Sequence, residues 1–367
     1  MNILYITFVD VESNESIGVK KKIIGQVEGM RKNRHKVSYT ICENNKFIYV
    51  DSENNKSIIC TFKNNKHKRM TMYNKELINI IKRNQIEVIY MRYALSDFLL
   101  IRFLKKAKKL VRSIYIEIPT YPYDDEISNR KLKVDTVFRK HLYKYVDKII
   151  ISSKKVDRVF GIPAKFINNG VSTEEIKYTN RRYSKSKECI NLIGVSFIRY
   201  SNGYDRLILG LRDYYSNKNI EKQVDVCFIG DGSEVDNLKN LVEKYNLNDH
   251  VSFEGIKSGK ELDKYFEKAD IAIGSIGDHR CGIEFKSPLK SREYCARGIP
   301  FISATKDPGF DGNEKFILNI KSNDEPININ DIVKFYEDIS EIEDISDYMR
   351  KFAYHRFEWK SQFENIF

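Results

Sequence analysis

The chain alternates short apolar runs with longer stretches whose apolar residues recur at helical spacing, the pattern of strands followed by helices. Residues 2–8 form the first run. Residues 19–33, with Ile23, Ile24, Val27 and Met30, then read as a helix. Residues 35–42 alternate as a strand, and 46–50 and 57–62 read as a hairpin across a polar turn. The pattern continues as helix 74–84, strand 87–92, helix 96–110, strand 113–118, helix 134–146, and strands 148–152 and 165–168. Residues 171–188 hold few large apolar groups and are expected to be a linker. The alternation restarts with strand 190–196, helix 204–215, strand 223–229, helix 234–245, strand 251–253, helix 259–268, strand 271–275, helix 288–297 and strand 300–303. Closing helices follow, the last carrying Trp359. The repeated strand–helix register predicts an α/β protein of two doubly wound domains, 1–170 and 189–345, with 346–367 packing back on the first. Ligands of such folds sit outside the carboxyl ends of the strands, and a cleft between the two domains is the default site.

Charge is divided unevenly. Residues 1–170 carry 34 Lys and Arg against 17 Asp and Glu, a net +17, whereas 171–367 carry 29 against 34, a net −5. The basic half is suited to an anionic membrane surface or substrate. Lys20-Lys21-Lys22 reads either as a solvated face or as a contact for lipid head groups. No zinc-finger or RNP-type pattern accompanies the charge, so nucleic acid is not an expected partner. The longest apolar stretch, 98–104, is interrupted by Arg102, and the amino terminus lacks a basic region followed by an apolar core. Neither a membrane span nor a signal peptide is expected. Six scattered cysteines without a Cys-x-x-Cys pair fit reduced thiols in the cytoplasm, and neither they nor the isolated histidines have metal-ligand spacing.

The most informative segment runs Lys286-Ser287-Pro288-Leu289-Lys290-Ser291-Arg292-Glu293-Tyr294-Cys295-Ala296-Arg297-Gly298-Ile299-Pro300. Ser287 reads as an N-cap, Pro288 as a first-turn residue and Gly298 as the helix stop. Such a helix presents unpaired N–H groups to an anion, with Lys286 and Lys290 beside it. Glu293 is expected to face the same ligand, where a carboxylate can accept two ribose hydroxyl protons.

This segment resembles the Glu-Ala-Met-Ala-x-Gly-x-Pro element of the retaining glycosyltransferases of the family 4, or group 1, type, and the chain looks most like bacterial members that build surface polysaccharides. The resemblance implies a GT-B architecture, two Rossmann-like domains facing across a cleft, and a nucleoside-diphosphate sugar as donor substrate with no further cofactor or metal. Many members carry a second glutamate eight residues before the first. Here that position is Phe285, with Glu284 one residue off register. Glu117-Ile118-Pro119-Thr120-Tyr121-Pro122-Tyr123-Asp124 matches a Glu-x-Pro-x-Tyr-Pro-Tyr segment on the acceptor side, which makes Glu117, Thr120, Tyr121, Tyr123 and Asp124 candidate acceptor contacts. Aromatic rings there would stack on sugar C–H faces and carboxylates would bind hydroxyls.

The remaining donor candidates lie in loops after strands. They are Gly18 before the first helix, Gly230, Asp231 and Gly232 in a strand–turn–helix link, and Glu254 after residues 251–253. In the family an Arg and a Lys after the first strand of the second domain meet the diphosphate. This chain has Arg199 there, and Asn202 where the Lys would stand, so Lys290 is the first candidate for the missing charge and Arg199 the second. Arg206 is read as structural, and His279-Arg280 as either a donor contact or a plain surface loop. Lys290, Glu293 and Arg199 are thus the expected catalytic group, with Ser287, Pro288 and Leu289 at the donor. The resemblance implies transfer with retention, in which the departing phosphate oxygen takes the acceptor proton and no protein base is needed. The expected acceptor is a glycan or lipid-linked oligosaccharide, and the expected location is the cytoplasm, peripheral on the inner membrane face. The alternative is a GT-B-fold partner or glycan-binding module without turnover.

Overall fold

The computed structural model describes residues 1–12, 17–62, 73, 75–124, 127–217 and 220–367, which divide into two compact units, Met1–Gly170 with Trp359–Phe367, and Val171–Glu358.

In the first unit the elements are β1 (Asn2–Ile6), α1 (Ile17–Lys32), β2 (Lys36–Glu43), β3 (Lys46–Val50), β4 (Lys56–Thr61), α2 (Lys75–Arg83), β5 (Val88–Arg92), α3 (Phe98–Ala107), β6 (Ser113–Ile118), α4 (Asn129–Arg139), β7 (Lys148–Ile151), β8 (Arg158–Val159) and β9 (Ile162–Phe166). The described strands form one sheet in the order β4-β3-β2-β1-β5-β6-β7-β9-β8. Its six central strands, β2 to β9 in that order, are parallel, and β3, β4 and β8 are antiparallel additions. Residues 3–6 of β1 are wholly buried, as expected where both faces of a parallel sheet are covered. The β8–β9 hairpin is absent from the sequence expectation. Its turn is Phe160-Gly161, both at positive φ (52° and 79°), and a phenylalanine at such a position gives no turn signal.

In the second unit the elements are β10 (Cys189–Val195), α5 (Tyr204–Tyr215), β11 (Gln223–Ile229), α6 (Val235–Lys244), β12 (Val251–Phe253), α7 (Gly259–Lys268), β13 (Ile271–Ile273), α8 (Leu289–Arg297), β14 (Phe301–Ser303), β15 (Ile317–Asn319), α9 (Ile329–Ser340) and α10 (Ile345–Phe357). Its sheet is all parallel in the order β12-β11-β10-β13-β14-β15. This is the doubly wound order, and the direction of winding reverses between β10 and β13.

Two expectations about the joints need correction. Residues 171–188 are folded against the second unit. The Arg181 guanidinium donates to the carbonyls of Phe266 (2.5 Å) and Ala269 (3.0 Å) at the end of α7, and of Arg297 (3.0 Å) and Gly298 (3.3 Å) at the end of α8. One cation thus satisfies the orphan carbonyls of two helices, a role that polar composition hides. At the carboxyl end, α10 belongs to the second unit, where Arg350 donates to the Ala296 carbonyl at 2.6 Å. Only residues 359–367, which include α11 (Trp359–Phe363), join the first unit. Trp359 lies across α1 where Gly25 and Gly29 leave room: a Cβ on Gly25 would stand 2.2 Å from its Nε1, and one on Gly29 2.7 Å from its backbone. Phe367 stacks on Tyr115 at 5.6 Å between centroids.

Candidate functional site

In the second unit the reversal point lies between β10 and β13, so the loops after these strands flank the position where such folds bind ligands. The two loops touch through glycine backbone. Gly203, at φ 72°, would place a Cβ 2.9 Å from the Cα and N of Gly277, so a side chain there would force the loops apart. Asn202 is explained locally: its side-chain oxygen accepts from the Arg199 amide at 2.6 Å. Arg199 itself is exposed at the surface of the loop, its guanidinium 4.7 Å from the Phe197 ring centroid.

The loop after β11 is bound to the loop after β10. The Ile198 amide donates to the Asp231 carbonyl (2.8 Å), and Gly230 donates to the Gly255 carbonyl after β12 (2.8 Å). A Cβ on Gly230 would stand 1.8 Å from the Ser196 carbonyl oxygen, and one on Gly232 2.1 Å from that of Ile198. The two glycines therefore allow three strand-end loops to close on one another. Asp231 accepts from the Gly232 amide at 2.8 Å, and Glu254 accepts from the Tyr265 hydroxyl at 2.9 Å.

Helix α8 begins at Leu289. Its N-cap position is Pro288, in extended conformation, and no side chain caps its first amides, so Ser287 is not the N-cap that the sequence suggested. Ser287 is buried ahead of the helix. Lys290 lies in the first turn, with its Nζ 6.0 Å from the ring centroid of Tyr204, the first residue of α5. That Nζ is enclosed and has no hydrogen-bond partner among the described residues. The adjacent cation is already satisfied. Lys286 pairs with buried Asp278 at 2.8 Å, and the Thr305 hydroxyl donates to the other Asp278 oxygen at 2.8 Å. Burial, reinforced by Lys286 and opposed by Asp278, lowers the Lys290 pKa to about 8. An enclosed ammonium without a counter-ion, in the first turn of a helix whose end is uncapped, is suited to an anionic ligand.

Glu293 follows Lys290 by one turn and is partly exposed. One of its oxygens accepts from Arg297 Nε (3.0 Å) and from a terminal guanidinium nitrogen (2.8 Å), and Arg297 is held also by Asp263 (2.7 Å). Arg206 is buried and donates to the carbonyls of Glu325 (2.9 Å), Lys321 (3.0 Å) and Ile276. Arg280 forms a bidentate pair with Asp205 (2.8 Å) and a bond to Asp324 (2.7 Å) that holds loops together. Glu284 pairs on the surface with Lys306 at 2.6 Å, and the Lys306 ammonium stands 5.5 Å from the Phe285 ring centroid. The sequence reading missed Asp278 and Thr305, and gave no role to Tyr204 in the segment that carries Arg199 and Arg206. No motif marks Asp278 or Thr305, and the roles of all three come from neighbours in other loops.

In the first unit the acceptor candidates meet a different fate. Glu117 is 1% exposed within β6, where it pairs with Lys22 of α1 at 2.6 Å and accepts from Gln26 (3.1 Å) and the Tyr90 hydroxyl (3.2 Å). Burial opposes its ionisation. Lys22 and Arg92 beside it, with hydrogen bonds from Lys22 and Gln26, nevertheless hold its carboxyl below the usual glutamate range. Glu117 thus joins helix to sheet and lines no surface, and Lys22 is correspondingly not a solvated lysine. Tyr123 is also buried, donating to Asp135 at 2.6 Å, so it too is an interior residue. Asp124 pairs with Arg139 at 2.7 Å. Tyr121 is partly exposed, with its amide bonded to Ser153 Oγ at 2.8 Å, and Thr120 beside it is partly exposed as well. Gly18 lies inside the first turn of α1, not before the helix, and a Cβ there would meet nothing within 4 Å. The preceding loop falls partly outside the described residues.

Residues 179–315 match the family described as glycosyl transferases group 1, a stretch that contains every loop of the second-unit site. Among solved structures, a glycosyltransferase from Rickettsia africae is 14% identical over 100% of this chain and 99% of its own, with a TM-score of 0.68. The sucrose-phosphate synthase of Thermosynechococcus elongatus is 14% identical over 99% and 96%, with a TM-score of 0.66. A lipopolysaccharide outer core galactosyltransferase is 13% identical over 100% and 98%, with a TM-score of 0.58. No curated protein matches the chain by sequence. The fold is GT-B, and the resemblance to group 1 glycosyltransferases holds.

Proposed function

We propose that this chain, GT-B in fold and similar over residues 179–315 to the group 1 glycosyl transferases, is a retaining enzyme that moves a sugar from a nucleoside-diphosphate donor to a hydroxyl of a glycan or lipid-linked acceptor, in bacterial surface polysaccharide synthesis at the cytoplasmic side of the membrane. The observation that carries the proposal is the enclosed, unpartnered Nζ of Lys290 in the first turn of α8. A diphosphate seated there is neutralised by that ammonium and by the free amides of the helix end. As the glycosidic bond breaks, charge grows on the departing phosphate oxygens, and a cation already desolvated and fixed stabilises it without reorganising. Glu293, one turn further along, accepts the ribose hydroxyls while Arg297 and Asp263 hold its carboxylate in place. With retention, the departing oxygen takes the acceptor proton, so the protein acts by positioning. Metal requirement is read from activity with and without chelator.

Glu293→Ala is expected to weaken nucleoside-diphosphate affinity roughly ten- to hundredfold, the worth of hydrogen bonds to a charged acceptor. The melting temperature should hardly move, since Arg297 keeps Asp263. Calorimetric titration with UDP and GDP reads the affinity, and an unaltered Kd removes Glu293 from the site. Release of nucleoside diphosphate from a panel of UDP-, GDP- and dTDP-sugars, with and without added glycan, tests turnover. Binding without release of sugar across the panel would favour a glycan-binding module.

A further inference from the structure

The basic character of the first unit has a specific surface. Between residues 128 and 146 the chain carries six cations, Arg130, Lys131, Lys133, Arg139, Lys140 and Lys144, against a single acid, Asp135. That acid is wholly buried, bonded by the Tyr93 hydroxyl (2.6 Å), the Ser96 amide (2.5 Å) and the Tyr123 hydroxyl (2.6 Å), so it faces inward. Arg139 is partly buried and occupied by Asp124 (2.7 Å) and Asp135 (3.5 Å). Arg130, Lys131, Lys133 and Lys140 are exposed and have no ion pair among the described residues. On α4 the exposed Arg130, Lys133, Val134 and Val137 recur at helical spacing and form one stripe. Val134 is 44% exposed, Val137 57%, and Tyr143 just beyond the helix 59%. These valines leave apolar area open to solvent at the centre of a lysine-rich face. A face that is basic at its edges and apolar along its ridge matches the interface of an anionic bilayer, where cations meet head-group phosphates and the ridge enters the acyl boundary.

We propose that the outer face of α4 with its carboxyl-terminal extension, residues 130–144, is a docking surface for anionic phospholipid. Lys20-Lys21-Lys22 is a poorer candidate: Lys22 is consumed by Glu117, and Lys20 stands 4.0 Å from Glu12. This inference rests on the membrane-side location proposed above, and its residues are not those of the donor site.

The test is co-sedimentation of the full chain with vesicles of phosphatidylcholine containing phosphatidylglycerol, and with phosphatidylcholine alone. The wild type should pellet only with phosphatidylglycerol. The variant Arg130→Glu/Lys131→Glu/Lys133→Glu/Lys140→Glu should lose about a hundredfold or more in apparent affinity, given the contribution of each surface cation near an anionic leaflet. Val134→Ser/Val137→Ser, which keeps the charge, should lose roughly tenfold. Thermal unfolding of both variants should match the wild type, because every altered side chain is exposed. Absence of lipid-dependent pelleting, or equal pelleting of wild type and both variants, overturns the proposal. It is also overturned if the serine variant binds vesicles like the wild type while the glutamate variant loses RNA and vesicles alike, because the face would then be a general polyanion surface. Turnover of soluble donor by the same variants separates the two readings. A chain that pellets through α4 but never cleaves a nucleotide sugar refutes the enzymatic proposal and leaves this one standing.

Discussion

Lys290→Met is expected to make the protein more stable and to deprive it of nucleotide affinity in one step. The wild-type ammonium is enclosed without a partner, and its pKa is lowered to about 8, first by burial and then by Lys286. A lysine held about 2.5 pKa units below its ordinary value stores on the order of 3 kcal/mol at neutral pH. A methionine of similar length removes the charge, so a gain of about 1–3 kcal/mol is expected after imperfect packing. The sign of the pH dependence follows. Between pH 8 and the unfolded value near 10.5 the unfolded chain binds more protons than the native one. Wild-type stability from this group therefore rises over that window, and the methionine variant lacks the rise. Ligand affinity runs the other way. A diphosphate prefers the protonated amine, so UDP or GDP affinity should be level below pH 7.5 and fall above pH 8, by up to about tenfold per unit. The variant should bind roughly a hundredfold more weakly at pH 7 and without that pH dependence. Thermal-shift titrations across pH 6.5–9.5 read both effects. Equal nucleotide affinity in the two proteins would take Lys290 out of the site.

Lys22→Met should have the largest effect on folding. It removes the cation paired directly with the Glu117 carboxylate, 1% exposed in the interior, and leaves only the charge of Arg92 nearby. Breaking one side of such a pair costs about 3–5 kcal/mol, a drop in Tm on the order of 10 °C for a domain of this size. Lys22→Met with Glu117→Gln should recover most of the loss, because a carboxamide oxygen still accepts from Gln26 and Tyr90. The depressed Glu117 pKa adds an acid signature: its stabilising contribution is complete above the unfolded value of 4.5 and is lost as pH falls through the lower native one. Glu117→Gln should therefore flatten the stability–pH curve below about pH 4.5. If Lys22→Met melts like the wild type, the pair is not the tie between α1 and the sheet. If Glu117→Gln instead raises the KM for an acceptor with Tm unchanged, the residue belongs to the acceptor surface after all.

Much of the fold was legible because strand and helix periods are local. The segments 204–215, 223–229, 251–253 and 259–268 read from the sequence coincide with α5, β11, β12 and α7. The β8–β9 hairpin and β15 were not legible, being two to five residues long and lacking alternation or a glycine-led turn. The glycines at 230 and 232 were read as turn formers. Their actual constraint is the carbonyl oxygens of Ser196 and Ile198, which come from another strand's loop.

The amino-acid order alone determined most of the alternation of strands and helices, that two α/β units follow one another, and that a helix near residue 290 begins beside lysines. All of these depend on residues within a few positions of each other. Only the tertiary structure decided which charges are interior and what they meet. Gln26 and Glu117 lie 91 positions apart, and Asp278 meets Thr305 across 27. Glu117 was thereby turned from a surface acid into a buried tie, and Lys290 from one of several nearby cations into the enclosed one without a partner. The cost of burying a charge depends on what is packed around it, and that is set by the topology of the sheet and not by neighbours along the chain.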